Sequence, residues 1–182
     1  MPIRNMHPFR LIKSNLNSKK VHVRLKGENW HMICNSLHYV NYVSHITNSL
    51  VKKIIIKKLG RPYNLVRKNF IDFHGNIKVV YENGSTLNII SSKKTKKHFF
   101  CLKDGKKTFN FDFKKEQLSV GKKIFFCKRE YVSKLSNKFF KSLLKKGRVN
   151  LPTFDEALME NFLFISEFST KIKKKSYIYN IT

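Results

Sequence analysis

Two dipeptides constrain this chain more than any other feature. Asn83-Gly84 lies between the apolar, β-branched runs 77–81 and 86–90, and Asp104-Gly105 lies between residues 98–103 and 106–113. Both residues of such a pair accept the positive φ of a tight turn whose twist matches the flanking strands, so each pair predicts a β-hairpin. Hairpins make neighbouring strands antiparallel. Phe109, Phe111 and Phe113 alternate with Asn110 and Asp112, which puts one aromatic face on a core and one polar face outward. Residues 117–126 add a strand, with Gly121 as a break.

Helices flank this β region. Phe9, Ile12 and Leu16 recur at helical spacing over residues 8–16. Val21, Val23 and Leu25 alternate with His22, Arg24 and Lys26, a half-buried strand broken by Gly27. Asn29 is a helix cap by type. In the helix that follows, Ile33, Leu37, Val40 and Ser44 share one side, and Cys34, His38, Asn41 and His45 line the adjacent stripe. Residues 50–59 read as a strand, and Gly60-Arg61-Pro62 and His74-Gly75-Asn76 as turns. Residues 131–145 carry Val132, Leu135, Phe139 and Leu143 at helical spacing, with Gly147 as C-cap. Thr153 and Glu156 form a capping box ahead of a last helix with Ala157, Phe162, Ile165 and Phe168 as its apolar stripe. The expected fold is α+β: a mostly antiparallel, open-faced sheet with helices packed on one face.

Charge bears on partners. The net charge is +27 from 38 Lys and Arg against 11 Asp and Glu. Taken alone it points to nucleic acid or another anionic surface. However, the cations are mostly lysines in pairs spread along the whole chain, and Ala157 is the one alanine among many Asn, Ile and Phe. That is what an AT-rich coding sequence supplies, so charge is discounted as a functional signal. Alternating Lys and Phe in Lys96-Lys97-His98-Phe99-Phe100 fits a strand better than a nucleic-acid surface. No apolar run is long enough to span a membrane. Three scattered cysteines and no hydrophobic leader suggest reduced thiols in the cytoplasm.

His38, beside an apolar helix face, is the one candidate for proton transfer. From spacing alone, a packed and hydrogen-bonded histidine is the commoner reading. Cys34, His38 and His45 have spacing for a metal, but no second ligand cluster supports one. Cys34 reads as a packing residue rather than a nucleophile, and Gly84 and Gly105 as turn glycines rather than a phosphate cradle.

Asn29-Trp30-His31 followed by Cys34-Asn35-Ser36-Leu37-His38 resembles the C-terminal domain of the Gfo/Idh/MocA oxidoreductases. Sugar-acting branches there carry an Asn-Trp-Gly…Cys-Asn-x-Ile-His element. The likeness continues through Tyr81-Glu82-Asn83-Gly84-Ser85-Thr86 and Leu151-Pro152-Thr153-Phe154-Asp155-Glu156-Ala157, and spans residues 8–169. Departures are His31 for Gly, Glu28 for Gly, Cys34 where Asp is usual, and Asn41 where an Asp follows the histidine. A Gly-x-Gly-x-x-Gly turn and the family's Glu-Lys-Pro are missing.

The resemblance implies an oxidoreductase fragment with His38 as the catalytic group assisting deprotonation of a sugar hydroxyl, and with Trp30, Cys34 and Asn35 around the substrate. It implies no cofactor bound by this chain alone, NAD(P) coming with a separate dinucleotide-binding chain. It also implies a homo-oligomer formed through the open sheet face, which an apolar face would require. The expected organisation is a lead-in over 1–18, the α+β domain over 19–170 and a basic tail over 171–182. A Met1 so close to the junction suggests a stand-alone domain or a truncated gene. The rival class is a small basic binding protein without catalysis.

Overall fold

The computed structural model describes residues 3–28, 30–65, 71–95, 97–128, 130 and 132–173. The expected cap at Asn29, Lys96 of the basic-aromatic run, Tyr131 at a helix start and most of the basic tail lie outside them.

A short 3-10 turn (Ile3–Asn5) leads into α1 (His7–Ser14), β1 (His22–Gly27) and α2 (Met32–Thr47). The sheet then builds through β2 (Val51–Asn64), β3 (Ile71–Tyr81), β4 (Thr86–Ser91), β5 (Phe99–Lys103), β6 (Thr108–Asp112), β7 (Gln117–Val120) and β8 (Lys123–Phe126). Helices α3 (Val132–Lys146) and α4 (Phe154–Lys173) close the described chain. The eight strands form one sheet in the order β2-β3-β4-β1-β5-β6-β7-β8. Both hairpins form as expected, β3 with β4 and β5 with β6. Gly84 and Gly105 both have positive φ, whereas Asn83 and Asp104 do not, so only the glycine of each pair takes the expected left-handed backbone. One relation departs from the antiparallel expectation: β1 inserts between the hairpins and runs parallel to β4.

Alternation decides which face is covered. Val23, Leu25, Ile77, Val79, Leu87, Ile89, Phe100, Leu102 and Phe109 are fully buried or nearly so. Helices α1, α2 and α4 lie over that face. Tyr42 on α2 donates its hydroxyl to the Phe9 carbonyl at 2.9 Å, and Tyr81 on β3 donates to the Val40 carbonyl at 3.0 Å. On α4, Phe168 meets Phe73 of β3 at 5.7 Å between ring centroids. The other face is open and mixes cationic, polar and apolar side chains. One row across it reads Ile55, Lys78, Asn88, Arg24, Cys101, Asn110, Ser119 and Ile124. Neighbouring rows add Lys53, His22, Lys26 and Lys103, the carboxylate Asp112, and the apolar Val80, Ile90, Phe99 and Phe126.

Several local expectations are corrected. Gly27 is the last residue of β1, where the strand was expected to break. Gly60-Arg61-Pro62 is an irregularity inside β2, with Pro62 opposite Phe73. Proline is tolerated there because β2 is an edge strand. His74-Gly75-Asn76 lies within β3, and a Cβ on Gly75 would come 2.5 Å from the Lys58 carbonyl oxygen. Gly121 does more than interrupt a strand: it turns β7 into β8. In α2 the buried stripe is Met32, Ile33, Ser36, Tyr39, Val40, Tyr42, Val43 and Thr47. In α3, Leu135 is buried while Leu143 is exposed. The capping box of α4 forms as expected, with Thr153 N–H on Glu156 at 2.9 Å and Glu156 N–H on Thr153 Oγ1 at 3.2 Å. Its buried stripe is Glu160, Phe164, Phe168 and Ile172, while Phe162 and Ile165 are exposed. A helix with apolar residues on several faces does not declare its phase.

Candidate functional site

The connection from β1 to α2 builds one wall of a cavity of about 270 Å³. Trp30, Asn35, His38 and Tyr39 line it from that connection and α2; His98, Phe111 and Phe113 line it from β5, β6 and their flanks. The α2 N-terminus has no capping side chain of its own: His31, at its N-cap, takes left-handed backbone with φ of 56°. Asp72, reaching over from β3, accepts the Ile33 N–H at 3.1 Å and the Phe73 N–H at 2.7 Å, and Tyr63 Oη donates to it at 3.2 Å. A buried carboxylate thus fixes the start of the helix that carries His38.

Asn35 donates its Nδ2 to the Trp30 carbonyl at 2.6 Å, clamping the indole segment to the first turn. Burial holds the His38 imidazole down to about 4, so it is neutral at pH 7. Asn41 hydrogen-bonds the Glu160 carboxylate on α4. As an uncharged amide it supplies no negative charge one turn beyond His38.

Three of the four residues singled out in the sequence converge here: His38, Trp30 and Asn35. Cys34 does not. It is exposed and lines a separate hollow against α4 with Ile33, Leu37, Phe164, Ile165 and Phe168. Cys101 and Cys127 are also free thiols. His98 was passed over as a strand residue, yet it lines the same cavity as His38. Its ring stacks on Phe113 at 4.0 Å and lies 5.7 Å from Trp30, and burial lowers it to about 4 as well. Its Nε2 and the Trp30 Nε1 are buried without hydrogen-bond partners among the described residues. Histidine beside the aromatic strand run was the available signal. Among the described residues there is no cluster of His, Cys, Asp and Glu arranged to hold a metal ion, and no helix is long and apolar enough to cross a membrane.

Gly27 makes this wall possible. A Cβ there would lie 2.7 Å from Trp30 Cδ1 and 2.9 Å from His98 Cδ2. Gly27→Ala is therefore expected to displace one ring and cost about 1–3 kcal/mol through overpacking. Trp30 is the single tryptophan, so its emission reports the shift directly. Unchanged emission and an unchanged urea midpoint would contradict this packing.

The same notch tests for a dinucleotide. A glycine after a strand and before a helix cradles a pyrophosphate only when its bare side is open to the ligand. Here that side is filled by indole and imidazole. Gly27 therefore offers no pyrophosphate cradle.

No family model and no curated protein sequence matches the chain. Solved structures do share its fold. One is the UDP-N-acetylglucosamine 3-dehydrogenase GnnA from Acidithiobacillus ferrooxidans, at TM-score 0.62 and 9% identity, covering 93% of this chain and 58% of that one. A dehydrogenase from Chromobacterium violaceum matches at TM-score 0.65 and 7% identity, covering 96% and 61%. A protein described as an NADPH-dependent oxidoreductase from Desulfitobacterium hafniense matches at 0.60 and 9%, covering 95% and 62%. The chain thus spans about three fifths of these oxidoreductases' length, and at such identities the likeness is one of fold.

Proposed function

We propose that this chain is a Gfo/Idh/MocA-like C-terminal domain: the substrate-binding and oligomerisation half of a nicotinamide-dependent sugar or nucleotide-sugar oxidoreductase. The observation that carries this reading is that His38, Trp30 and Asn35 line one cavity, in a fold shared with dehydrogenases. In it the neutral imidazole of His38 accepts the proton of a bound hydroxyl, with Trp30 and Asn35 forming the rim. Its basicity is low for that task, because burial depresses it and no carboxylate one turn on supports the imidazolium. Hydride acceptance belongs to a dinucleotide-binding unit outside this chain. The free thiols fit a reducing, cytoplasmic setting.

The test is direct. Sugars and nucleotide sugars are titrated into the chain, following Trp30 emission, and turnover is then measured with a dinucleotide-binding chain added. Saturable quenching is expected, together with a loss of turnover in His38→Ala of about a hundredfold. The absence of quenching across the panel, or unchanged turnover in His38→Ala, would overturn the assignment. Oligomerisation through the open face brings Arg24, Lys26 and Lys78 of two copies together, so it should strengthen with salt. The same cationic face is the observation that favours the second reading, a basic protein bound to nucleic acid. A shift with nucleic acid that weakens with salt and saturates at a defined site size would favour it.

A further inference from the structure

The hollow between α2 and α4 is an uncharged patch on a heavily charged chain. It measures about 220 Å³, and none of its lining residues carries a charge. Phe164 and Phe168 line it from within, nearly fully buried, while Ile165 at its edge is 58% exposed and Leu37 half-buried. Small-molecule pockets start at roughly 300 Å³, so this one suits one or two side chains better than a cofactor. It shares no lining residue with the His38 cavity.

The sequence holds a segment of matching character. Nine residues, 174–182, follow α4. Their lysines stop at Lys175. Ser176-Tyr177-Ile178-Tyr179-Asn180-Ile181-Thr182 carries no charge, and four of its seven residues are Tyr or Ile. Aromatic and β-branched types suit an extended backbone, and tyrosine is a frequent anchor in small apolar pockets.

Reach favours this segment over other occupants. Ser169, at the near end of the hollow, lies one turn before the end of α4, about 6 Å along its axis. From there the hollow follows α4 back to Asn161, about 12 Å further. An extended chain covers about 3.3 Å per residue, so residues 174–176 suffice to reverse direction and 177–181 to run the length of the hollow. A segment tethered one turn away is present at an effective concentration of about a millimolar, which a second copy in dilute solution does not match.

We propose that residues 176–182 fold back along α4 and fill this hollow, with Tyr177-Ile178-Tyr179 seated between Leu37 and Ile165. Asn161 donates its Nδ2 to the Ala157 carbonyl at 2.6 Å, which leaves its Oδ1 to accept a tyrosine hydroxyl. Lys174 and Lys175 stay in water at the reversal. The tail braces the first turns of α2, and its docking rests on no reading of the His38 cavity.

Cys34, an exposed thiol lining the hollow, supplies the readout. Its rate of reaction with a thiol reagent, followed by peptide mass mapping, is compared between the full chain and a chain ending at Lys173. The full chain should protect Cys34 about tenfold. Tyr177→Ala with Ile178→Ala and Tyr179→Ala should abolish that protection, and Lys174→Ala with Lys175→Ala should keep it. Equal rates in the full and shortened chains would overturn the proposal. So would protection that fades on dilution, which would seat the tail on a second copy. Asn180→Cys in the full chain keeps every apolar tail residue and needs no shortened chain to fold. Mild oxidation should then join Cys34 to the introduced thiol within one chain. A bridge formed only between chains, or no bridge to Cys34, would equally overturn it.

Discussion

Phe9→Ala should remove about 3–5 kcal/mol of stability, the scale seen when a large aromatic is deleted from a packed core. Phe9 is fully buried although it sits on an eight-residue helix near the start of the chain. Its ring meets Tyr42 at 4.9 Å, Phe100 at 5.2 Å, Phe111 at 6.0 Å and Tyr39 at 6.1 Å, all edge-to-face. Such pairs add to the burial term. One side chain therefore ties α1 to α2 and to the β5–β6 hairpin, and Tyr39 and Phe111 are also walls of the His38 cavity. Against a typical domain stability of about 5–15 kcal/mol this is a large share. Urea denaturation should show a lower midpoint at an unchanged slope. Phe126→Ala on β8, where the ring is 76% exposed, is the control and should change little. A loss below about 1 kcal/mol for Phe9→Ala would mean that α1 is not docked as described.

Acid should destabilise the fold between about pH 6.5 and pH 4. His38, His45 and His98 are each lowered to about 4, first of all by burial. In that window the unfolded chain binds protons that the folded chain refuses, so stability falls as pH falls through the ordinary histidine value and levels off near pH 4. Lys13 Nζ, 2.8 Å from His45 Nε2, works in the same direction. Asp72 and Glu160 oppose it, since burial raises both carboxyls and the folded state then takes up protons more readily at the acid end. All three imidazoles are only partly buried, so solvent screening cuts each contribution to about 1 kcal/mol, or about 3 kcal/mol together. Rising self-repulsion in a chain already at +27 adds to the loss. Thermal melts at pH 7, 5.5 and 4.5 should show a steady fall in Tm. A flat profile would show that the three rings reach water freely.

The candidate site was half legible. His38, Trp30 and Asn35 lie within nine residues of one another, so a single strand-to-helix reading could group them. His98 reaches the same cavity from sixty residues further on, and its place beside the aromatic strand run was the one local sign of it. Cys34 was grouped with the site through its place in the family-like Cys34-Asn35-Ser36-Leu37-His38 run. Its position on the helix turns it toward α4 instead, and no sequence pattern announced that neighbour.

Adjacent residues settled what depends on adjacent residues. Asn83-Gly84 and Asp104-Gly105 fixed two hairpins, Phe109 and Phe111 their buried face, and Thr153 with Glu156 the start of α4, because turn angles, strand alternation and helix caps are satisfied within a few positions. Tertiary contact decided the rest. It placed β1 between the hairpins and parallel to β4, brought Asp72 onto the head of α2, and rotated α4 so that Phe164 and Phe168 face inward rather than Phe162 and Ile165. Each of those outcomes rests on a partner dozens of residues away, and the energy that selects it exists only once the chain has closed on itself.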